Sequence, residues 1–216
     1  MAEHLPVGTE APPRAWVRLY SGKRLDLLDP TPFDWEDSDL AIGLARTYRW
    51  GGHSAWPLPL SVAQHCLLVL ALRRQGSPGP ADPRAELREL LHDADEGLLG
   101  FDCISVLKPF LGEAYRKLTA RLEAAVVLRY RLPPWTAAEH RHHKRADRVA
   151  AATEAVHVVG WTEAEVRTTL KIPYRPLAQD PLAAIYGGPA FEPWPPTLAA
   201  DRFLAELERL GAARSR

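Results

Sequence analysis

The stretch Pro83-Arg-Ala-Glu-Leu-Arg-Glu-Leu-Leu-His-Asp-Ala-Asp-Glu-Gly-Leu-Leu-Gly100 decides the reading of this chain. Its leucines recur at helical spacing, Pro83 suits a first helical turn and Gly100 suits a stop, so residues 83–99 are expected to form one helix. Inside it, His92-Asp93 puts a nitrogen ligand and an anionic oxygen ligand side by side, flanked by Leu90 and Leu91. That is the pattern of a core-facing helix meeting a polar cavity. Glu96 lies four residues after His92 and three after Asp93, so on a continuous helix all three share a face. A carboxylate in that position can take or deliver a proton, and Asp95 competes with Glu96 for the role.

Outward from this stretch the chain reads as helices punctuated by proline and glycine. Residues 16–28 alternate around Ser21-Gly22 and suggest a short hairpin. Residues 37–48 suggest a helix capped by Asp37 or Ser38 and stopped by Gly51-Gly52. Further helices are expected over residues 61–75, with Ser61 as cap, over 112–130, over 137–158 ended by Gly160, over 162–170 with a Thr162/Glu165 capping box, and over 197–210. Residues 171–196 are rich in proline and glycine and lack periodicity. The expected fold is all-α with a short N-terminal β-hairpin. Residues 1–15 form a flexible tail, and residues 16–216 form one domain that includes a proline-rich C-terminal extension.

Composition narrows the function classes. A chain of 216 residues with 27 basic and 27 acidic side chains has a real core and no net charge. Neither a nucleic-acid polymer nor an anionic membrane surface is the expected partner, although a small phosphorylated substrate needs only a local positive site. The longest apolar run, residues 66–72, is far short of a membrane span. Residues 1–14 carry acids and prolines and do not read as a signal peptide. The two cysteines, Cys66 and Cys103, form no CxxC pair and read as reduced, buried thiols. The expectation is a cytoplasmic protein without a membrane segment.

His65 upstream and Asp147 downstream each fall on their own helical segment. With His92 and Asp93 they make a set able to hold a divalent ion of the Mn, Fe, Co, Zn or Mg kind. Cys66 is expected to point about 100° away from His65 on the same helix, so no thiolate is offered. Ligands on separate packed helices are fixed by core packing, and water on such an ion is a better nucleophile near neutral pH. Taken singly, each residue has a plainer reading. His65 reads as a core histidine, Asp147 in Lys144-Arg-Ala-Asp-Arg148 as a surface salt-bridge partner, His92-Asp93 as a helix-surface pair and Glu96 as a solvated charge.

Ser61-Val-Ala-Gln-His65, Leu91-His-Asp-Ala-Asp-Glu96 and Lys144-Arg-Ala-Asp147 resemble the three metal-binding motifs of HD-domain phosphohydrolases. The resemblance is nearer to the branch similar to 5′-deoxynucleotidases. It extends to Tyr20-Ser-Gly-Lys-Arg-Leu-Asp-Leu-Leu28, Arg49-Trp-Gly-Gly-His53 and Asp102-Cys-Ile-Ser-Val-Leu-Lys108, and covers residues 16–210. It implies a helical HD fold, often dimeric. It also implies hydrolysis of a nucleotide phosphoester, a (deoxy)nucleoside 5′-monophosphate or triphosphate, by a metal-activated water. His65, His92, Asp93 and Asp147 match the metal ligands, and Glu96, with Asp93, carries catalysis. Arg49 and Lys108 match phosphate-binding positions, Trp50 the residue that limits the sugar, and Asp102 an aspartate that approaches it. The spacing Gly100-Phe101-Asp102 is one residue longer than the family pattern, and Val106 stands where the family has proline. His53 belongs to a Gly-His element typical of this branch, and reads either as a substrate contact or as a loop histidine. Trp50 equally reads as a core residue.

Two other functions fit parts of the pattern. A dinuclear-iron HD-type oxygenase would need extra histidines. His140 and His143 could share a face with Asp147, though the run Glu139-His-Arg-His-His-Lys-Arg145 reads first as a basic solvated face. A non-catalytic nucleotide-binding module would not need the intact ligand set or Glu96.

Overall fold

Residues 62–71 are buried without a break, which makes the helix that carries them apolar on all sides and places it at the centre of the molecule. The computed structural model describes residues 15–76, 79, 82–104 and 107–214. The expected tail over residues 1–14 and the Val106 position lie outside them, as do residues 77, 78, 80 and 81 of the loop before Pro83. Along the described chain come strands β1 (Trp16–Arg18) and β2 (Arg24–Asp26), then helices α1 (Asp37–Arg46), α2 (Val62–Gly76), α3 (Pro83–Leu90) and α4 (Ala94–Leu99). There follow α5 (Lys108–Tyr130), α6 (Ala137–Glu154), α7 (Glu163–Thr168), α8 (Pro181–Tyr186) and α9 (Pro196–Arg214). The fold is all-α with a two-stranded antiparallel hairpin at its front, in register Val17 to Leu25. Among the described residues, no helix is long and apolar enough to cross a membrane.

Central α2 packs on α1, α3, α6, α8 and α9, while α1 lies between α4 and α9. One core runs through these contacts, from Leu25 and Trp35 through Leu40, Leu44, Val69 and Leu90 to Phe203 and Leu210. The hairpin tip is pinned to α1 by Asp39, which accepts from the Ser21 N–H at 2.7 Å and its hydroxyl at 2.6 Å. A smaller cluster of Ala152, Ala155 and Val166, with Trp50 and Trp161 against it, lies at the C-terminal end of α6.

Several boundaries differ from the sequence expectation. The helix expected over residues 83–99 is two helices, with residues 91–93 in a turn between them. Glu36 rather than Asp37 or Ser38 caps α1, through a reciprocal bond with Asp39. Helix α5 starts at Lys108 but is broken by Gly112 at φ 73°, ψ −160°. Helix α6 ends at Glu154 and passes into a π turn over Ala155–Val159 before Gly160 stops it in the left-handed region. Within residues 171–196, Asp180 caps the short α8, which apolar periodicity over so few residues could not announce. The Ser61 and Thr162/Glu165 caps form as expected.

Candidate metal centre

The turn between α3 and α4 is made by His92 itself. Its Nδ1–H donates to the Glu89 carbonyl at 2.8 Å. In a continuing helix that carbonyl would accept from the Asp93 N–H. The chain tightens instead, with the Ala94 N–H donating to Leu91 O at 3.2 Å. Asp93 becomes the N-cap of α4, and Glu96 sits in its first turn. The shared helix face expected for His92, Asp93 and Glu96 is therefore replaced by a turn that gathers them.

His65 is fully buried on α2. Its Nδ1–H donates to Glu154 Oε1 at 2.5 Å, so both histidines have Nδ1 occupied and present Nε2 to a common point. The two Nε2 atoms are 3.3 Å apart. Asp93 Oδ2 lies 3.6 Å from His65 Nε2 and 3.1 Å from His92 Nε2, and Asp147 Oδ1 lies 3.5 Å from His65 Nε2. Donors bound to one ion at about 2.1 Å are roughly 3.0–3.4 Å apart, so this spacing fits a divalent ion between the rings. His65, His92 and Asp147 form one donor group and Cys66, His92 and Asp93 a second, each with its atoms within 4.8 Å of one another. Cys66 thus faces the centre rather than away from it. The helix puts it 100° from His65, but the turn at residues 91–93 wraps round both. Its thiol is pushed up by burial and by the charges of Asp93 and Glu96.

The field at this point calls for positive charge. Burial and Arg49 lower the His65 pKa, but Glu154 and Asp147 outweigh them and carry it up to about 10. Burial disfavours the Asp93 and Asp147 carboxylates, yet the neighbouring histidines, with Arg49 beside Asp93, hold both well below the usual range. Asp147 also faces Lys144 Nζ at 3.6 Å, so its plainer reading as an ion-pair partner holds alongside its place at the centre.

Arg49 stands in a 3-10 turn, Arg49–Gly52, with Trp50 in the left-handed region at φ 57°. Its Nε donates to Glu154 Oε2 at 2.8 Å, while Nη1 is 3.9 Å from both Asp93 Oδ2 and Asp102 Oδ2. Those distances are too long for hydrogen bonds, so the outer edge of the guanidinium keeps donors for a ligand. Asp102 thus reaches the site despite the longer spacing from Gly100. Glu96 is buried, with Lys108 Nζ 3.5 Å from Oε1 and no hydrogen-bond partner on Oε2 among the described residues. Burial, then the charges of Asp93 and Asp102, raise its pKa to about 9 against the pull of Arg49 and Lys108. The plainer reading of Glu96 as a solvated charge is overturned.

His53 and Trp50 each have two readings in the sequence. The His53 ring is exposed, and its backbone N–H closes the turn on Trp50 O at 3.2 Å, which is the loop reading. Trp50 packs on the small cluster at the end of α6 and donates Nε1–H to Glu154 Oε2 at 3.0 Å. Glu154 escaped the sequence reading, although it stands seven residues after Asp147 on the same helix, two turns along one face. His143 departs from the solvated face expected for residues 139–145. It is buried, gives its Nδ1 proton to Glu89 Oε1 at 2.7 Å, and lies under Trp135 with ring centroids 4.9 Å apart. Its neighbours His140, Arg141, His142, Lys144 and Arg145 are exposed.

Fold and site together define a helical protein with a buried His/Asp donor cluster beside an arginine. The chain belongs to the same family as the uncharacterized protein RCAP_rcc00048 of Rhodobacter capsulatus, to which it is 48% identical over 153 residues, covering 70% of this chain and 77% of that protein. No family model matches the chain.

Proposed function

We propose that the chain is a divalent-metal-dependent phosphohydrolase of the HD type, acting on a small phosphorylated substrate of the nucleotide class. One observation carries the reading. Asp93 Oδ2 is 3.1 Å from His92 Nε2 and 3.9 Å from Arg49 Nη1, so a cation site and a guanidinium edge adjoin on one carboxylate. A ligand that coordinates a metal and accepts from arginine is an oxyanion, and a phosphate ester is the common one. The Asp93 and Asp147 carboxylates, both held ionised, would repel that ligand without a cation to offset them.

His65, His92, Asp93 and Asp147 would hold the ion. A bound divalent ion supplies a Lewis acid for the phosphoryl oxygens and lowers the pKa of water in its shell. Arg49 and Lys108 orient the phosphate and offset charge developing on its oxygens. Glu96, protonated over the neutral range, delivers its proton to the leaving oxygen. Trp50 and Asp102 border the same edge of Arg49 and would contact the rest of the substrate. The cytoplasm as location and a homodimer as assembly belong to the same proposal.

A dinuclear-iron oxygenase requires a further histidine at the centre. His143 is the nearest candidate, with its ring 4.8 Å from that of His92. It joins neither donor group among the described residues. The phosphohydrolase reading is therefore preferred. The test is a panel of ribo- and deoxyribonucleotides with Mn, Co or Mg, reading released phosphate, pyrophosphate and triphosphate. Metal-dependent release from part of the panel is expected. A protein that binds metal yet releases none of the three would refute the reading.

A further inference from the structure

We infer that Glu154 is a positioning residue that organises the cation site and the anion site through one carboxylate, so that metal affinity and phosphate affinity depend on it together. The inference rests on the reading of His65 as a metal ligand and Arg49 as the anion-binding group.

The geometry is specific. Glu154 is 2% exposed and stands on the last turn of α6, where the helix widens into the π turn over Ala155–Val159. Such wide turns recur at functional sites. Its two oxygens receive three N–H donors: Oε1 takes His65 Nδ1 at 2.5 Å, and Oε2 takes Arg49 Nε at 2.8 Å and Trp50 Nε1 at 3.0 Å. Three N–H donors on its two oxygens favour the carboxylate over the neutral acid.

Each bond has a consequence at the site. The bond to His65 fixes the tautomer with the proton on Nδ1 and aims Nε2 at the point shared with His92, Asp93 and Asp147. The bond to Arg49 takes Nε and leaves the Nη edge turned toward Asp93 and Asp102. The bond to Trp50 helps hold a non-glycine residue at φ 57°, a conformation that persists only when its surroundings impose it. His65 belongs to α2 and Arg49 to the turn before it; Glu154 bonds both from behind, while Asp93 lies near both on the ligand side. A glutamine at 154 has one acceptor oxygen and no charge, so it cannot keep the bonds to both His65 and the Arg49 and Trp50 pair, and the bond it keeps loses its charge assistance.

The test is calorimetry of chelator-treated full-length protein. Co²⁺ is titrated first, and inorganic phosphate is then titrated into the Co²⁺-saturated protein. Glu154→Gln is expected to weaken Co²⁺ binding about 10–100-fold, and phosphate binding to the loaded protein by about tenfold. Arg49→Ala should lower phosphate affinity without weakening Co²⁺ binding, because it removes a positive charge beside Asp93. The visible ligand-field bands of the Co²⁺ form report His65 directly and should shift in Glu154→Gln, which lowered stability alone does not produce. If that variant does not fold, Glu154→Asp keeps the buried charge but is one methylene too short to span both partners. It is expected to weaken both ligands, and wild-type affinity for either would overturn the inference. A folded Glu154→Gln protein with wild-type Co²⁺ affinity, or a loss confined to one ligand, would do the same. Failure of the wild type to bind Co²⁺ would instead sink the metal reading on which the inference rests.

Discussion

At the scale of single residues, the side chains that matter are those whose second polar atom is already committed. His92 spends Nδ1 on a carbonyl and His65 spends its own on Glu154, which leaves two Nε2 atoms 3.3 Å apart with Asp93 against both. Asp93→Ala should therefore abolish metal-dependent hydrolysis while leaving a folded protein, measured by phosphate release beside a far-ultraviolet spectrum. Undiminished turnover would contradict the ligand assignment. Glu96 is the opposite case, with Oε2 buried and without a hydrogen-bond partner among the described residues. Its pKa near 9 keeps it protonated below that pH, so the rate should fall as pH rises through the alkaline range. A bound cation offsets the Asp93 charge that helps raise it, so the midpoint should lie at or below about 9. Glu96→Gln should retain Co²⁺ affinity, lower turnover by about 10²–10⁴-fold and remove this limb. A variant that loses the metal would make Glu96 a ligand instead.

At the scale of elements, the placement of Glu96 depends on a crossing of α1 and α4 that only glycine permits. A Cβ built on Gly43 would lie 2.3 Å from the Gly97 carbonyl oxygen, and one on Gly97 would lie 2.5 Å from Leu44 Cγ. The first clash is with backbone and cannot be relieved by a rotamer change. Gly43→Ala should cost about 1–3 kcal/mol, or roughly 3–10 °C in Tm, and displace α4 enough to slow turnover. A thermal melt and a rate measurement on the same preparation check it, and an unchanged Tm would show that the helices separate without cost. The period of the apolar residues was legible for α1, α2, α6 and α9. The break at residues 91–93 was not, because it follows from His92 taking a carbonyl that the periodicity assigns to the backbone. Both readings of the segment bury the same leucines, so only the hydrogen bond distinguishes them.

At the scale of the molecule, ligands from α2, α6 and the α3–α4 turn meet on one side of a shared core, so a cation bound there cross-links the bundle. A ligand at one hundred times its Kd adds about 2.7 kcal/mol to stability, which for a chain of this size raises Tm by about 5–10 °C. The gain should depend on pH. His65 titrates near 10 and His92 is raised above its ordinary value, because the surrounding carboxylates outweigh burial. An entering cation must displace those protons, so each displaced proton strengthens apparent affinity about tenfold per unit of rising pH below that range. The Co²⁺-induced rise in Tm should therefore grow from pH 6 to pH 8.5 and vanish in Asp93→Ala. A rise independent of pH would place the cation elsewhere.

By itself the sequence determined the all-α fold with its hairpin, the helix stops at Gly100 and Gly160, and the set His65, His92, Asp93, Glu96 and Asp147 as chemically suited to one site. Periodicity and donor chemistry are properties of residue type and spacing, so they can be read along the chain. Only the tertiary structure decided that Glu154 joins His65 to Arg49, that Cys66 and His143 turn inward, and that His53 stays at the surface. Those outcomes depend on which buried donor finds which acceptor across helices, between residues as far apart in sequence as Arg49 and Glu154. No local pattern records that pairing, because a buried N–H is satisfied by whatever acceptor packing brings to it.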